Sequence, residues 1–293
     1  MIVSKPTLSR RRAAYAAHLA AAAIALAISL GLRAQPVPIY SVYAVRFAHA
    51  PYPVSSLVAG AERGRSVDLA FTVWVVRAEA TPRIILVDSG FYRDKFLLQW
   101  HPMDYVRPDA AITDGLGLGP DRVTDVVISH SHWDHADGAD LFPRARIWIQ
   151  REEYEYYVGA GGEVLHRGGV DAEDAKMLMA LNEAGRVELI DGDDRAILPG
   201  ISVYTGGKHT FASQFVTVAT RAGTVVLASD NVYLYENLDK HVAIAQTLDA
   251  ASNLAAQDRM RRLASAPRLL IPGHDPAVFD RFPVVKPGVV RID

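Results

Sequence analysis

Apolar residues along this chain fall into short runs that predict many strands, with fewer helices between them. Runs rich in β-branched and aromatic residues, bounded by turn residues, predict strands at 69–76, 83–87, 124–129, 146–150, 187–190, 201–204, 215–220, 224–228 and 268–271. Residues 248–263 lack glycine and proline and repeat apolar positions at helical spacing, which predicts a long helix. Shorter helices are predicted at 109–118 and from residue 172 onwards. Strands interleaved with helices favour an α+β fold.

The composition sets the size of the fold and excludes several kinds of chemistry. The chain has 293 residues, of which 50% are hydrophobic, so it can form one large domain with a full core. The formal net charge is −2 and no basic stripe is present, so we expect no nucleic-acid partner. The chain contains no cysteine, which excludes disulfides, a cysteine nucleophile and thiolate metal ligands.

The amino-terminal residues have the pattern of a targeting segment. Lys5 and Arg10–Arg12 precede residues 13–32, which are nearly free of charge, and Ala34 is a small residue before a possible cleavage site at Gln35. Residues 1–34 are therefore predicted to be a signal peptide that engages the export machinery, or a membrane anchor if the segment is not cleaved. We expect a periplasmic or secreted protein whose mature domain covers residues 35–293.

One hexapeptide carries most of the candidate chemistry. His130-Ser131-His132-Trp133-Asp134-His135 directly follows the apolar run 126–129. Imidazole nitrogen and carboxylate oxygen are ligands that a divalent metal ion such as zinc prefers. Three histidines and one aspartate in six residues, placed just after a strand, therefore predict a metal site.

This motif resembles the H-x-H-x-D-H signature of the metallo-β-lactamase superfamily. Residues 85–90, which end in Asp88-Ser89-Gly90, resemble the early strand and turn of that family. His209, Asp230 and His274 follow later apolar runs in the order in which the family places its remaining metal ligands. The turn before His209 departs from the family pattern, because its proline is missing and it has one extra residue. Lys208 in this turn is expected to add a cation close to the metals.

The resemblance implies a single-domain αββα sandwich with two metal ions at one edge. One half would carry residues 130–135, and the other His209, Asp230 and His274. By resemblance, His130, His132 and His209 hold one ion, Asp134, His135 and His274 hold the other, and Asp230 bridges them. Asp88 would orient a ligand histidine. The ligand set leaves coordination positions open, which favours catalysis over a closed structural site, and two Zn²⁺ are the simplest assignment, with other divalent metals possible.

The residues near Asp230 resemble the N-acyl homoserine lactonase branch, which places a tyrosine where this chain has Tyr233. The expected reaction opens a lactone ring by attack of a metal-bridging hydroxide. Tyr233 hydrogen-bonds the carbonyl oxygen and Asp134 transfers the proton. Tyr233 could instead be a packing aromatic. The aromatic residues in 91–105 could form a wall for an acyl chain or fill the core.

Other functions on the same fold stay open at this stage. They include a pyridoxolactonase-like enzyme, a phosphotriesterase, a glyoxalase II-like thioesterase and, more remotely, a non-catalytic binding protein stabilised by metal. The expected partner is a small lactone or ester. The oligomeric state is open, and a dimer is possible.

Overall fold

The structure, a computed structural model, describes residues 38–293, in which strands predominate. The strands are β1 (Tyr40–Pro53), β2 (Ser66–Ala78), β3 (Ile84–Val87), β4 (Asp125–Val127), β5 (Arg146–Gln150), β6 (Val187–Ile190), β7 (Arg195–Leu198), β8 (Ile201–Thr205), β9 (Gln214–Thr220), β10 (Gly223–Leu227), β11 (Leu270–Ile271), β12 (Val284–Lys286) and β13 (Val289–Arg291). The α-helices are α1 (Asp94–Trp100), α2 (Pro108–Leu116), α3 (Trp133–Ala136), α4 (Arg151–Tyr157), α5 (Ala172–Glu183), α6 (Tyr235–Lys240), α7 (Ala250–Leu263) and α8 (Val278–Arg281). Short 3₁₀ turns span Val54–Ser56, Pro120–Arg122, Asp137–Leu141, Ser229–Asn231 and Pro267–Leu269.

The strands form two groups that are linked at one point. The first group runs in the order β1, β2, β3, β4, β5 and β6, and the second contains β7, β8, β9, β10 and β11. A single residue pair, Tyr40 with Thr220, joins β1 to β9. The short strand β13 pairs with β1 and with β12. The chain therefore builds two sheet layers from one continuous network of strands.

Alternate residues of each strand face different cores, as the period of two in a β-strand requires. In β3, Ile85 and Val87 enter a central core that also contains Val216 and Leu227 from the second layer. Leu86 lies in an outer core that includes residues of α1 and α2. In β10, Val226 packs on the opposite side, with residues of α7. Helices thus cover the outer faces of both layers, and the predicted αββα sandwich is confirmed.

Strand direction places the loops that carry the candidate ligands. Strands β3, β4, β5 and β6 are parallel, so the turn after β3 and the hexapeptide after β4 leave the same edge of the first layer. In the second layer β8 and β10 are both antiparallel to β9, and β11 is parallel to β10. The segments after β8, β10 and β11 therefore also leave one edge, and they contain His209, Asp230 and His274.

The predicted signal peptide or membrane anchor, residues 1–34, lies outside the described residues. Within residues 38–293, no helix has the length and apolar character needed to span a membrane.

Candidate metal centre

Two tight turns bring the ligand-bearing segments of the two layers together. Asp88 ends the β3 strand with a left-handed φ of 61°, and Ser229 follows β10 with a φ of 47°. The Oδ1 atom of Asp88 accepts a hydrogen bond from the Ser129 backbone N–H at 2.8 Å, and the Ser229 hydroxyl donates to Asp88 Oδ2 at 3.0 Å. The Ser129 and Ser229 hydroxyl oxygens are 2.7 Å apart. Asp88 therefore connects the hexapeptide of the first layer to the Asp230 turn of the second.

The first donor group consists of His130, His132, His209 and Asp230, whose donor atoms all lie within 4.8 Å of one another. His132 Nδ1 is 3.0 Å from His209 Nε2. Asp230 Oδ2 is 3.4 Å from His209 Nε2 and 3.8 Å from His130 Nε2. Three imidazoles and a carboxylate oxygen thus surround one small volume.

The second donor group consists of Asp134, His135 and His274. Asp134 Oδ2 lies 3.5 Å from His135 Nε2 and 3.8 Å from His274 Nε2. The other oxygen of Asp230, Oδ1, lies 3.2 Å from His135 Nε2 and 2.9 Å from His274 Nε2. Asp230 therefore directs one oxygen toward each group, which is the geometry that a bridging carboxylate requires.

The donor set fits a pair of divalent cations. His130 Nε2 and His135 Nε2 are buried and have no hydrogen-bond partner among residues 38–293. A buried polar atom without a partner costs about 1–3 kcal/mol, so such atoms usually have a partner or coordinate an ion. Each of these nitrogens faces a carboxylate oxygen of Asp230 but does not hydrogen-bond to it. Coordination of a metal ion by each nitrogen explains this arrangement.

Hydrogen bonds to the far ring nitrogens orient four of the histidines. The Nδ1 atom of each contacts an oxygen outside the donor groups, at 2.8–2.9 Å, and leaves Nε2 facing the centre. The partners are Ser129 Oγ for His130, Asp88 Oδ2 for His135, the Gln246 carbonyl for His209 and the Ala70 carbonyl for His274, at 2.9, 2.8, 2.8 and 2.9 Å. His132 differs, because it presents Nδ1 to the centre. The structure thus places Asp88 against His135, in the orienting position that the resemblance implied.

Burial and neighbouring charges set the protonation of these groups. Burial, with the nearby histidines, lowers the pKa of His130 well below its ordinary value and lowers the pKa of His132 to about 4. For His135 the effect of burial is outweighed by the carboxylates of Asp230, Asp134 and Asp88, so its pKa is raised. The pKa of Asp230 is held well below its ordinary value, despite burial, by His135 and His274. The centre therefore favours a positive charge between its carboxylates, which is what a bound cation supplies.

The structure also contains a buried carboxylate that the sequence analysis did not single out. Glu153 in α4 is fully buried, and burial raises its pKa. Its Oε1 accepts a hydrogen bond from the Ser131 N–H at 3.0 Å, and its Oε2 accepts one from the Ala212 N–H at 2.7 Å. Glu153 therefore ties the hexapeptide to the loop that carries His209. The sequence gives no signal for this role, because both partners are backbone groups distant along the chain.

The turn before His209, which departs from the family pattern, is closely packed against Asn231 and Asn253. A Cβ atom on Gly206 would lie 2.1 Å from Asn231 Oδ1, and one on Gly207 would lie 2.4 Å from the Asn253 Cα. Neither position has space for a side chain. The Lys208 ammonium donates to the Phe211 carbonyl at 2.7 Å and lies over the Phe211 ring, so its charge stabilises its own turn. Lys208 belongs to neither donor group.

A cavity of about 260 Å³ opens over the donor groups. His132, Asp134, Asp230 and His274 lie on its polar side, and Leu57, Leu69, Phe71, Trp100 and Trp133 on its apolar side. From the predicted aromatic segment, Trp100 lines this cavity, whereas Phe91 and Phe96 are buried in the core. Different residues of this segment therefore contribute to the cavity lining and to the core.

Tyr233 lies between the donor groups and the cavity. Its hydroxyl is 3.4 Å from His209 Nδ1, and its side chain lines the cavity although it is only 4% exposed. Burial and the Asp230 carboxylate raise the pKa of the phenol well above its ordinary value. The phenol is therefore neutral near pH 7 and can donate a hydrogen bond to a molecule in the cavity.

A sequence profile of the metallo-β-lactamase superfamily matches residues 71–274. The chain belongs to this superfamily. Among curated members, the N-acyl homoserine lactonase AiiA of Bacillus thuringiensis subsp. kurstaki is 28% identical over 225 residues, which are 71% of this chain and 82% of AiiA. The N-acyl homoserine lactonase AttM of Azorhizobium caulinodans is 26% identical over 176 residues, 57% of this chain and 64% of AttM.

Solved structures of the superfamily share the fold of this chain. One is an N-acyl homoserine lactone hydrolase with the product N-hexanoyl-L-homoserine at its catalytic metal centre. It matches with a TM-score of 0.67 at 22% identity, over 84% of this chain and 97% of that chain. The dizinc quorum-quenching lactonase AidC matches with a TM-score of 0.59 at 12% identity, over 83% and 92%. The chain is thus a metallo-β-lactamase-fold hydrolase with a histidine and aspartate metal-binding cluster.

Proposed function

We propose that this protein is a dinuclear zinc hydrolase that opens the lactone ring of N-acyl homoserine lactones. The observation that carries the proposal is the position of Asp230, which shares its two oxygens between two donor groups beneath a cavity with an apolar wall. The curated relatives that carry the name N-acyl homoserine lactonase support the same substrate class.

In this proposal each donor group holds one zinc ion. His130, His132 and His209 would hold the first ion, and Asp134, His135 and His274 would hold the second. Asp230, whose two oxygens face the two groups, would contribute to both. When bound, the two ions supply an activated water nucleophile and polarise the substrate carbonyl. Other divalent metals with the same ligand preference, such as cobalt, would also fit imidazole and carboxylate donors.

The protein's own residues orient the substrate and move the proton. The Tyr233 hydroxyl donates a hydrogen bond to the lactone carbonyl oxygen, where negative charge develops. The side chain of Asp134 is 15% exposed and borders the cavity, so its carboxylate can receive the proton of the nucleophile and deliver it to the leaving alkoxide. Leu57, Leu69 and Trp100 would pack against the acyl chain and exclude water.

The lining of the cavity argues against a glutathione thioester as substrate. Within residues 38–293, no lysine or arginine borders this cavity, and Arg167 is the one such residue in the adjoining cavity that shares His132, Gly168 and Gln246 with it. The peptide carboxylates of glutathione would need cationic partners, whereas the acyl chain of a homoserine lactone needs apolar surface.

A substrate panel on zinc-loaded protein tests the proposed function. The panel contains N-acyl homoserine lactones, a simple γ-lactone, a β-lactam, a glutathione thioester and a phosphotriester. We expect the acyl homoserine lactones to have the highest kcat/KM and the His132→Ala variant to lose nearly all of that activity. Faster turnover of the phosphotriester or thioester would overturn the substrate assignment, and equal activity of wild type and His132→Ala would overturn the metal assignment.

We further propose that residues 1–34 direct export and are removed. The charged flank and the uncharged stretch that follows support this proposal. Fractionation of cells that express the full chain, with the intact mass of the mature protein, tests it. A mass that retains residues 1–34 in a membrane fraction would favour an anchor, and a soluble cytoplasmic full-length chain would contradict both forms of the prediction.

A further inference from the structure

Gln246 lies at the boundary of two cavities that meet at the metal centre. It belongs to the segment between α6 and α7, and the residue is exposed. The cavity over the donor groups and the adjoining cavity, of about 390 Å³, share three lining residues, His132, Gly168 and Gln246. A molecule bound over the metal centre can therefore contact the Gln246 side chain from either cavity.

Backbone hydrogen bonds hold Gln246 close to His209. The Gln246 carbonyl accepts a hydrogen bond from His209 Nδ1 at 2.8 Å. The preceding residue, Ala245, donates its N–H to the Leu57 carbonyl at 3.0 Å, which ties this segment to the apolar wall of the cavity. The Tyr233 hydroxyl lies 3.4 Å from the same His209 nitrogen. Gln246 and Tyr233 thus occupy neighbouring positions in the lining, beside the metal centre.

The side-chain amide of Gln246 has one hydrogen-bonding atom available, and that atom is an acceptor. Its Nε2 donates to the Ser56 carbonyl at 3.0 Å and to the Tyr52 hydroxyl at 3.3 Å. Because a carbonyl oxygen only accepts, the amide nitrogen rather than the amide oxygen must face Ser56. Both amide hydrogens are therefore used, whereas Oε1 has no hydrogen-bond partner within residues 38–293. Gln246 can consequently offer an acceptor, but no donor, to a bound molecule.

The polar groups of the lining match those of an N-acyl homoserine lactone. The Tyr233 phenol is a donor for the lactone carbonyl oxygen, and Gln246 Oε1 is an acceptor. With an unsubstituted acyl chain, this substrate has a single hydrogen-bond donor, the amide N–H on the ring carbon next to the lactone carbonyl. The carboxylates of the lining, Asp134 and Asp230, belong to the metal donor groups. Gln246 Oε1 is therefore a side-chain acceptor that stays available for the amide N–H.

We propose that Gln246 Oε1 accepts a hydrogen bond from the amide N–H of the substrate and selects lactones that carry an acylamino group beside the carbonyl. This inference rests on the proposed function, because it assigns a contact to the same substrate class. The bonds from Nε2 to Ser56 and Tyr52 hold Oε1 in place before the substrate binds, so little conformational entropy is lost when the contact forms. A lactone without an N–H leaves Oε1 unpaired in the complex, which disfavours its binding.

A matched pair of substrates tests the contact on zinc-loaded protein. The pair is N-hexanoyl-L-homoserine lactone and its analogue in which a CH₂ group replaces the amide N–H, and chromatography follows the opening of each lactone. We expect wild type to prefer the amide about tenfold in kcat/KM, and Gln246→Met to lose about tenfold with the amide but less than about twofold with the analogue. Gln99→Met is the matched control, because Gln99 is exposed on α1 and lines neither cavity, and it should change neither rate.

The same measurements separate the contact from a structural effect of the substitution. Because the Gln246 backbone contacts His209, the zinc content and the thermal midpoint of Gln246→Met are measured as well, and both should equal those of wild type. Equal losses with both substrates, no loss with the amide, or a wild type that opens both lactones equally fast would overturn the contact and leave the proposed function standing. If wild type opens neither lactone, the proposed function fails and the contact fails with it.

Discussion

Asp230 is the residue on which the geometry of the centre depends most, because its two oxygens face different histidines. The order of motifs along the chain predicted every side chain that the structure brings into the two donor groups. That prediction was possible because each donor lies in a segment that follows an apolar strand. Apart from Asp88, the contacts that orient the donors were not predictable in this way, since two of them are the backbone carbonyls of Ala70 and Gln246. Only the folded chain brings these groups near a histidine.

The phenol of Tyr233 gives a first test at the scale of one atom. Tyr233→Phe keeps the ring in place and removes the hydroxyl that would stabilise charge on the carbonyl oxygen. We expect kcat/KM for an acyl homoserine lactone to fall on the order of 100-fold, with little change in thermal stability. Tyr204→Phe is the control, because Tyr204 is buried in a different core. Unchanged kinetics in Tyr233→Phe would assign Tyr233 to packing alone.

The buried carboxylate of Glu153 gives a second test. Glu153→Gln replaces one acceptor oxygen by an NH₂ group that faces a backbone N–H, so one hydrogen bond is lost in a buried place. We expect the free energy of unfolding to fall by about 2 kcal/mol and zinc affinity to weaken, as measured by urea denaturation and zinc titration. Glu152→Gln, an exposed neighbour, should leave both unchanged. Equal urea midpoints for Glu153→Gln and wild type would contradict this assignment.

At the scale of elements, short apolar runs predicted nine of the strands, whereas β1, β7, β12 and β13 were missed. The strands β5 and β6 match their predicted bounds, because short apolar runs end there at turn residues. The strand β1 was not predicted, although it is long. It is buried on both faces for much of its length and contains a bulge between Arg46 and Ala48, so its sequence shows no alternation.

Helix α4 was also missed, for a related reason. It spans Arg151–Tyr157, where the sequence analysis predicts no element. The inward face of this helix contains the buried carboxylate of Glu153 together with Tyr154 and Tyr157, so a charged residue occupies a core position. A hydrophobic pattern cannot reveal a helix whose buried face includes a carboxylate with backbone partners.

The loop that follows α4 contains Gly168 and Gly169, and it lies against His132. Gly169 has a φ of +89°, and a Cβ atom there would lie 2.7 Å from the His132 ring. Gly169→Ala should therefore displace either the loop or the imidazole and lower kcat at least about tenfold, measured on zinc-loaded protein. Gly168→Ala is the control for backbone strain, because its Cβ would meet no atom within 4 Å. If both variants lose the same activity, the contact with His132 is not the cause.

At the scale of the whole molecule, the metal-donor residues come from both sheet layers. Strand pairing joins these layers at one point only in the described chain. His130, His132, Asp134 and His135 follow β4 of the first layer, whereas His209, Asp230 and His274 follow strands of the second. Between the layers only Tyr40 and Thr220 form a ladder pair in the described chain. Metal binding should therefore stabilise the docking of one layer on the other.

Removal of metal tests this coupling. A ligand present at a thousandfold its dissociation constant stabilises a fold by about 4 kcal/mol. We expect a chelator to lower the thermal midpoint by about 10 °C and added zinc to restore it. The His132→Ala variant should show a smaller chelator effect, because it has lost one donor. A midpoint that does not respond to chelation would mean that the layers dock without help from the metals.

The absence of sulfur from the two donor groups has a chemical consequence for the durability of the centre. All of its donors are imidazole nitrogens or carboxylate oxygens, and the chain contains no thiol at all. Peroxide and alkylating reagents, which destroy thiolate ligands, have no sulfur donor to attack here. Such a centre keeps its capacity to rebind metal after oxidative exposure that would permanently disable a cysteine-ligated one.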